Sequence, residues 1–439
     1  MTVFGAETLD WDRARDRVTA DLKSGELYDV LGQVAAASGW DIYVEPNLER
    51  TVSTKFKNLS PGDALPLLLG DLSFALVPQT NASSKLLVFR TLPRNATRAV
   101  APALKSTAAT VTNTIPNQLI VRLKPGAKIG DVAKQLGAKV IGKIDSLNAY
   151  RLQFDDPAAT DAARTALAAN ADVTSVENNY SIDPPPTPNL LSSASVAAPQ
   201  LQLKPPPDGG RLIIGLVDTQ VQALGNGLDK FLLPQLSVAG DGQLDPNSPA
   251  HGTSMAETML RSLQALTQGS TSVQILPVDV YGPNATTSTF DVASGIASAV
   301  NGGAKIINLS LGSQTDSDIL RSVIQDASSQ NITFFGAAGN THVATPFYPA
   351  ADPGVNAVTA IEQGQLAPYA DYGSFVTLGA PGTSYVNFQG QVWQVQGTSD
   401  SSAFISGILA AYMDANHATL TQGMTYLHDH YGVTITPAK

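Results

Sequence analysis

The sequence predicts an α/β protein: a parallel sheet covered by helices, preceded by two small α+β domains, one of them ferredoxin-like. Three observations carry this. Two stretches rich in Pro, Ala, Ser and Thr divide the 439 residues into three blocks. In the last and largest block, short continuous apolar runs alternate with helical patterns, as expected of strands covered on both faces. In the middle block the periodicities follow one another as β-α-β-β-α-β, the ferredoxin-like order.

In the first block, residues 20–92, Leu27, Val30, Leu31 and Val34 share one helix face, and strand patterns follow at Asp41–Val44 and Val52–Phe56. Ser60-Pro61-Gly62-Asp63 combines a capping hydroxyl, a proline at the first helical position and an acid in the first turn, so a second helix starts there. Phe74–Val77 and Leu86–Phe89 read as closing strands. With its helix–strand–strand–helix–strand–strand order and the run LYDVLGQVAAASGWDIYVEP, this block resembles the short secretin/TonB N-terminal domain. That resemblance implies a docking role toward an envelope protein. Residues 93–114, low in apolar periodicity, read as a linker.

The second block, 115–182, places strands at Gln118–Leu123, Lys139–Ile144, Ala149–Phe154 and Val173–Glu177, with helices at Ile129–Leu136 and Ala158–Ala169. PNQLIVRLKPGA at its start and VENNY at its end resemble the propeptide found ahead of subtilisin-like serine proteases. The resemblance implies an inhibitor and chaperone built into the same chain. Residues 183–210 contain Pro184-Pro185-Pro186, the small-residue run Ser192–Ala198 and Pro205-Pro206-Pro207. Proline blocks of this kind cannot join a helix or a central strand, so an extended, exposed linker with a processing site is expected. In the third block, 211–415, strands are expected at Leu212–Val217, Val273–Val278, Ile306–Leu309 and Thr333–Ala337. Helices fit Ala256–Leu266, Phe290–Val300, Asp316–Ser329 and Ser401–Met413. The tail, 416–439, shows no pattern that assigns it a structure.

Composition narrows the function classes. The 27 basic and 37 acidic residues give a net charge of −10 with no run of Lys or Arg, so no nucleic-acid partner is expected. The absence of cysteine excludes disulfides, thiol catalysis and Cys-based zinc or iron–sulfur sites. A hydrophobic content of 43% with 15% charged residues excludes a wholly disordered chain. No apolar stretch approaches the ~18 residues of a transmembrane helix, so no membrane span is expected. The low charge and the many Ser, Thr, Asn and Gln side chains favour export. A secreted or periplasmic location follows, with any signal peptide already removed.

Four pieces carry chemistry. The run Leu212–Asp218 ends in an acid at the carboxyl end of a strand, where open α/β sheets place their functional crevice. His251-Gly252-Thr253 and Gly397-Thr398-Ser399 each open a small-residue helix. A serine at a helix N-terminus has an exposed Oγ and a backbone N–H aimed at developing negative charge. Gly336-Ala337-Ala338-Gly339-Asn340 is an apolar strand ending in a carboxamide donor. Singly, each piece is an ordinary turn or cap. Together they stand in the order Asp, His, Asn, Ser, which distinguishes subtilisin-type triads from the His-Asp-Ser order of chymotrypsin.

The motifs IIGLVDT, HGTSMAET, INLSLGS, FFGAAGN, FYPA and GTSDSSAFISG resemble the subtilisin-like (S8) serine proteases across about 200 residues, so the parallel sheet is expected to be subtilisin-like. The resemblance implies that Ser399 is the nucleophile, His251 the general base, Asp218 the group that holds the imidazole, and Asn340 the oxyanion donor alongside the Ser399 N–H. It also implies that Ser310, Leu311 and Gly312 with Ala337, Ala338 and Gly339 line a cleft for an extended polypeptide substrate, with Tyr281 and Gly282 as the other wall. Phe347, just before Tyr348-Pro349, would floor the pocket for the residue preceding the scissile bond and so favour small side chains there. No metal belongs to the catalytic set and no cofactor is required. The segment between His251 and Val273 is too short for the calcium-binding insert of many relatives, which leaves calcium only some other, unidentified site.

The sequence departs from the family pattern at Gln220 (usually Gly), Ser254 (often His), Asp400 (usually Met) and Ala403 (usually Pro). None of these removes a catalytic group. The expected function is therefore a serine endopeptidase in proenzyme form, self-processing in 183–210, with its own propeptide domain as inhibitor. The alternative is a catalytically silent subtilisin-fold protein that binds or docks at the envelope.

Overall fold

The computed structural model describes residues 8–12, 17–38, 40–45, 48, 50–77, 84–100, 113–191, 201–205 and 212–433. They fall into two compact units, 1–112 and 113–438. In the first, helices Leu27–Ser38 and Pro61–Leu69 pack with two sheets. Val18, Leu31, Val34, Val44, Leu65 and Leu86 lie in its core. The Ser60 hydroxyl accepts from the Asp63 N–H, so the second helix starts where its capping sequence places it.

Two boundaries of this unit differ from expectation. Strands Thr8–Asp12 and Arg17–Glu26 lie at and before residue 20 and pair with each other and with Thr51–Leu59. Both carry the alternation of a strand, Leu9 and Trp11 in the first and Val18, Ala20 and Leu22 in the second, with Trp11, Val18, Ala20 and Leu22 buried, so the boundary at residue 20 falls too late. Residues 93–114 are not linker throughout. Pro93–Asn95 forms a 3-10 turn, Arg98–Val100 pairs with Asp41–Val44, and Thr114 already begins the next strand. A three-residue edge strand is too short for periodicity to register.

The second unit opens with the β-α-β-β-α-β succession. Its strands lie side by side in the order Val173–Ile182, Thr114–Leu123, Ala149–Gln153, Lys139–Ile144. This is the ferredoxin-like arrangement. Side chains alternate along Thr114–Leu123, as a strand requires. Leu119, Val121 and Leu123 face this domain's own core, and Ile120 joins the core beneath the following domain.

The larger domain is a parallel sheet ordered Val273–Asp279, Leu212–Asp218, Ile306–Leu309, Thr333–Ala337, Val355–Glu362, with Val376–Ala380 beyond. Every residue of Ile306–Leu309 and Thr333–Ala337 is buried, in keeping with continuous apolar strands covered on both faces. Helices His251–Leu266 and Thr398–Asn416 lie against each other on one face, and Thr289–Asn301 with Asp318–Ser329 cover the other. The first pair crosses closely at Gly407, where a Cβ would stand 2.7 Å from the Met259 carbonyl. Glycine there lets the helix beginning with His251 and the helix bearing Ser399 approach as near as the site needs.

Residues 416–439, to which the sequence assigned no structure, contain helix Leu420–Tyr431. Thr419 and Gln422 close a capping box at its start, and Leu427 is fully buried against the core. The described parts of 183–210, residues 183–191 and 201–205, are extended, as the prolines dictate, but bound rather than free. Asn189–Leu190 pairs with Gln391–Gln396, Pro188 is buried, and Lys204 bridges to Ser270. The proposed processing run Ser192–Ala198 and the prolines Pro206 and Pro207 lie outside the described residues.

Candidate active site

Strand Leu212–Asp218 delivers Asp218, fully buried, to the carboxyl edge of the sheet. His251 is the first residue of its helix, and its Nδ1 stands 2.8 and 3.0 Å from the two Asp218 carboxylate oxygens. The Thr219 N–H donates to the same Oδ1 at 2.7 Å. Gly252 lets the helix start sit directly on the turn after Asp218, since a Cβ there would come within 2.3 Å of the Thr219 carbonyl. Gln222, which the sequence did not single out, clamps this helix start. Its Oε1 accepts from the Ala250 N–H at 2.7 Å and from the Thr253 hydroxyl at 2.9 Å.

Ser399 lies in the first turn of its helix, beyond Gly397 at φ +149°, and is 6% exposed. Its Oγ donates to the Ser310 carbonyl at 3.2 Å, and the Ser310 Oγ donates back to the Ser399 carbonyl at 2.9 Å. Behind them the Asn308 amide nitrogen donates to the Ser310 Oγ, while its Oδ1 accepts from Ser402 and Ser406. Asn308 is a polar side chain in an otherwise apolar buried strand. That was the available signal of its role, because a buried carboxamide needs partners.

The Asn340 carboxamide oxygen accepts from the Thr398 N–H at 2.8 Å and the Thr398 hydroxyl at 3.1 Å. Its Nδ2 is thereby left as a donor, close to Gly397. Gly339 precedes it at φ +115°, and any Cβ there would collide with the Asp371 carboxylate. That carboxylate in turn accepts from the Thr341 and Val343 N–H groups and so shapes the loop. Asp218, His251, Ser399, Ser310 and Asn340 thus converge at one edge of the sheet, where they can move a proton and stabilise developing negative charge.

Leu311, Ala337 and Ala338 are buried beneath this edge. The Phe347 ring, half-buried, packs against Gly312 and Gly339, standing 2.6 and 3.3 Å from where their Cβ atoms would be. Tyr281 is buried, and its hydroxyl donates to the Asp183 carbonyl at 3.0 Å. Asp400 is buried behind the serine, its Oδ1 accepting from Thr258 at 2.8 Å and Ser384 at 2.7 Å. Burial pushes this carboxyl up to about 6. Among the described residues no group of three or more His, Cys, Asp or Glu side chains is arranged to hold a metal ion.

The ferredoxin-like domain sits on the two helices of the opposite face. Asn179, fully buried, accepts from the Phe290 N–H and the Thr289 hydroxyl at one helix start. Glu177 accepts from the Ile319 N–H at 2.6 Å, the Asp318 N–H at 3.1 Å and the Ser317 hydroxyl at 3.2 Å at the other. Arg151 pairs with Asp291 at 3.0 Å. Beyond Asn179 the strand continues, and Ser181 and Ile182 pair with Ser288 and Thr287.

The helix dipole and three donors favour an ionised Glu177, but burial outweighs them and pushes the carboxyl from an ordinary 4.5 up to about 7. Docking therefore takes up a proton. Its contribution is complete below the free value and is lost as pH rises through the docked one. Glu177→Gln should accordingly match wild type in acid but hold the domain more tightly at alkaline pH. Amide exchange across Val173–Ile182, corrected for intrinsic pH effects, measures this. Faster exchange in the Gln variant at alkaline pH would show that capping outweighs burial.

Residues 209–427 match the subtilase family, and residues 101–179 match the fervidolysin N-terminal prodomain. The thermostable alkaline protease of Halalkalibacterium halodurans is 33% identical over 188 residues, 40% of this chain and 52% of that protein. The thermophilic serine proteinase of a Bacillus species is 28% identical over 235 residues, 52% and 58% of the two chains. This chain spans about half the length of the curated relatives it matches. Two solved structures share the fold. One is the epidermin leader peptide processing serine protease of Staphylococcus aureus, as a serine-to-alanine mutant (TM-score 0.55, 16% identity, covering 72% of this chain and 93% of that one). The other is fervidolysin from Fervidobacterium pennivorans (TM-score 0.53, 18% identity, covering 68% and 55%).

Proposed function

Residues 209–427 are a subtilase-family domain behind a fervidolysin-type prodomain, and on that premise we propose that the protein is a serine endopeptidase made as a proenzyme. The observation that supports this most is the buried Asp218–His251 pair, at 2.8 and 3.0 Å, on the same sheet edge as Ser399 and Asn340. Asp218 holds the Nδ1–H, which leaves Nε2 as the base. A bound polypeptide gives the N–H of the residue before the scissile bond to the Ser310 carbonyl, releasing the Ser399 hydroxyl toward His251. The Oγ attacks the peptide carbonyl as its proton passes to Nε2, and the Asn340 Nδ2–H and Ser399 N–H receive the oxyanion. His251 then protonates the leaving amine, and water hydrolyses the acyl-serine by the same steps.

Phe347 between Gly312 and Gly339 leaves little depth for the side chain preceding the cut, so Ala or Ser is the preferred residue there. The prodomain acts as intramolecular inhibitor, and the enzyme processes itself within 183–210. The chemistry runs on these side chains without an organic cofactor. No helix among the described residues is long and apolar enough to cross a membrane, and the proposed place of action is outside the cytoplasm, secreted or periplasmic. A fluorophosphonate probe tests the reading. After limited proteolysis of the 183–210 segment, wild type should be labelled and Ser399→Ala should not. No Ser399-dependent labelling would instead favour the silent binding protein.

A further inference from the structure

The helix that opens on His251 has no cap of its own. Its N-cap position is Ala250, whose methyl group cannot accept a hydrogen bond. The acceptors come instead from the turn that follows Asp218. The Thr219 Oγ1 accepts from the Gly252 N–H at 2.8 Å. The Gln222 Oε1 accepts from the Ala250 N–H at 2.7 Å and from the Thr253 hydroxyl at 2.9 Å, and the Gln222 N–H donates to the Thr253 Oγ1 at 2.9 Å. The other end of the same carboxamide holds the loop that leads into the helix. Its Nε2 donates to the Asp245 carbonyl at 2.9 Å and to the Ser248 carbonyl at 3.0 Å.

A carboxamide offers two N–H donors and an oxygen with two lone pairs, and here all four are engaged. The backbone groups also fix which way round it lies, since the Ala250 N–H can only donate and the two carbonyls can only accept. Gln222 therefore joins three pieces: the turn after Asp218, the entry loop, and the first turn of the His251 helix. We propose that Gln222 is a positioning residue for His251, a cap supplied across the fold that sets the ring against the Asp218 carboxylate. This rests on the protease reading above, in which that ring is the base.

The difference from an ordinary cap is physical. A capping side chain at position 250 would satisfy N–H groups of the helix start, yet it would leave the helix free to shift against the strand that ends in Asp218. A cap that belongs to that strand's own turn moves with the carboxylate. His251 is the first residue of its helix, where ends fray most readily, so its place depends on such a tie. Thr219 acts in the same direction, with its N–H on the Asp218 Oδ1 at 2.7 Å and its hydroxyl oxygen on the Gly252 N–H. The His251 Nδ1 stands 2.8 and 3.0 Å from the two carboxylate oxygens, and a ring displaced by about 1 Å would lose at least one of these contacts.

Gln222→Met keeps the side-chain length and removes all four carboxamide bonds. With a peptide substrate, after limited proteolysis of the 183–210 segment, its kcat should fall by about tenfold to a hundredfold with KM within about twofold, the range a misplacement of about 1 Å produces. In the full-length chain the downfield proton resonance of the His251 Nδ1–H, assigned by its loss in Asp218→Asn, should weaken or move. Thr253→Val removes one partner of Gln222 and should shift both readouts the same way by less, which decides the matter if Gln222→Met does not fold. Ala250→Ser separates positioning from capping, because its hydroxyl gives the helix a local cap. Added to Gln222→Met it should restore Tm but neither kcat nor the resonance, and alone it should leave activity unchanged. Recovery of kcat together with Tm would show that Gln222 only stabilises the helix, and would overturn the proposal. So would an unchanged kcat and resonance in Gln222→Met. The two readings fail separately: if no chain cleaves, wild type included, the protease reading is lost, while the resonance, read without turnover, still decides whether Gln222 places the ring.

Discussion

Asp218→Asn should lower kcat by about 10⁴ with little change in KM, measured on the processed enzyme with a peptide substrate. The expectation comes from where the two carboxylate oxygens point. Oδ1 accepts from the Thr219 N–H at 2.7 Å as well as from the His251 Nδ1 at 2.8 Å. Oδ2 faces only the same Nδ1 among the described contacts, at 3.0 Å. Asparagine has one acceptor, and the Thr219 N–H, a fixed backbone donor, claims it. The new NH₂ then takes the Oδ2 position and donates to Nδ1, which must carry the lone pair. The imidazole proton moves to Nε2, and the base that should accept the Ser399 proton is already protonated. No solvent can repair this, because Asp218 is fully buried. The fold should be unperturbed, so an unchanged circular dichroism spectrum accompanies the loss. A loss below about tenfold would mean that His251 is held in its working tautomer by some other group.

The sheet, and the gathering of Asp218, His251, Asn340 and Ser399 at its edge, were legible because their signals are local. A buried parallel strand is a continuous apolar run, and a helix opening on a small residue shows in three or four consecutive positions. Asp218, His251, Asn340 and Ser399 each end or begin such an element, so their order alone suggested one edge. What escaped was set by contacts distant in sequence. Glu177 and Asn179 look like ordinary polar residues of a strand end, and only the fold reveals that they cap helices more than a hundred residues away. Asn308 sits in a strand whose neighbours point to burial, and its partners Ser402 and Ser406 come from the helix that bears Ser399. The proline segment read as free linker because proline excludes regular structure. The two short pairings that tie it down need partners the sequence does not indicate. The C-terminal helix did carry a local sign, the Thr419–Gln422 capping box, but its few apolar residues gave no clear stripe.

Asn340→Ala should reduce kcat by about 10²–10³ while leaving KM within a few-fold, the magnitude known for the oxyanion donor of a related subtilisin rather than one obtained from this chain. The carboxamide is a donor to the cleft only because its oxygen is occupied. Thr398 holds Oδ1 through both its N–H and its hydroxyl, at 2.8 and 3.1 Å, so the amide cannot flip without leaving two donors unsatisfied. Gly339 at φ +115° and the Asp371 carboxylate fix the loop that carries it, so the donor is in place before substrate arrives. A donor fixed in advance stabilises charge that appears only in the transition state, which is why the loss should fall on kcat. Asn340→Asp separates this account from simple loosening of the loop. Aspartate can still accept from Thr398, so the loop stays tied, but its second oxygen now faces the developing oxyanion with like charge. It should be the worse variant at neutral pH and recover part of its rate as pH falls and the carboxyl is protonated. Affinity for a peptide boronic acid, whose tetrahedral adduct occupies the same hole, should fall in step with kcat in both variants. Equal rates for the alanine and aspartate variants, with boronate affinity unchanged, would place the oxyanion away from Asn340 and leave the Ser399 N–H as its main donor.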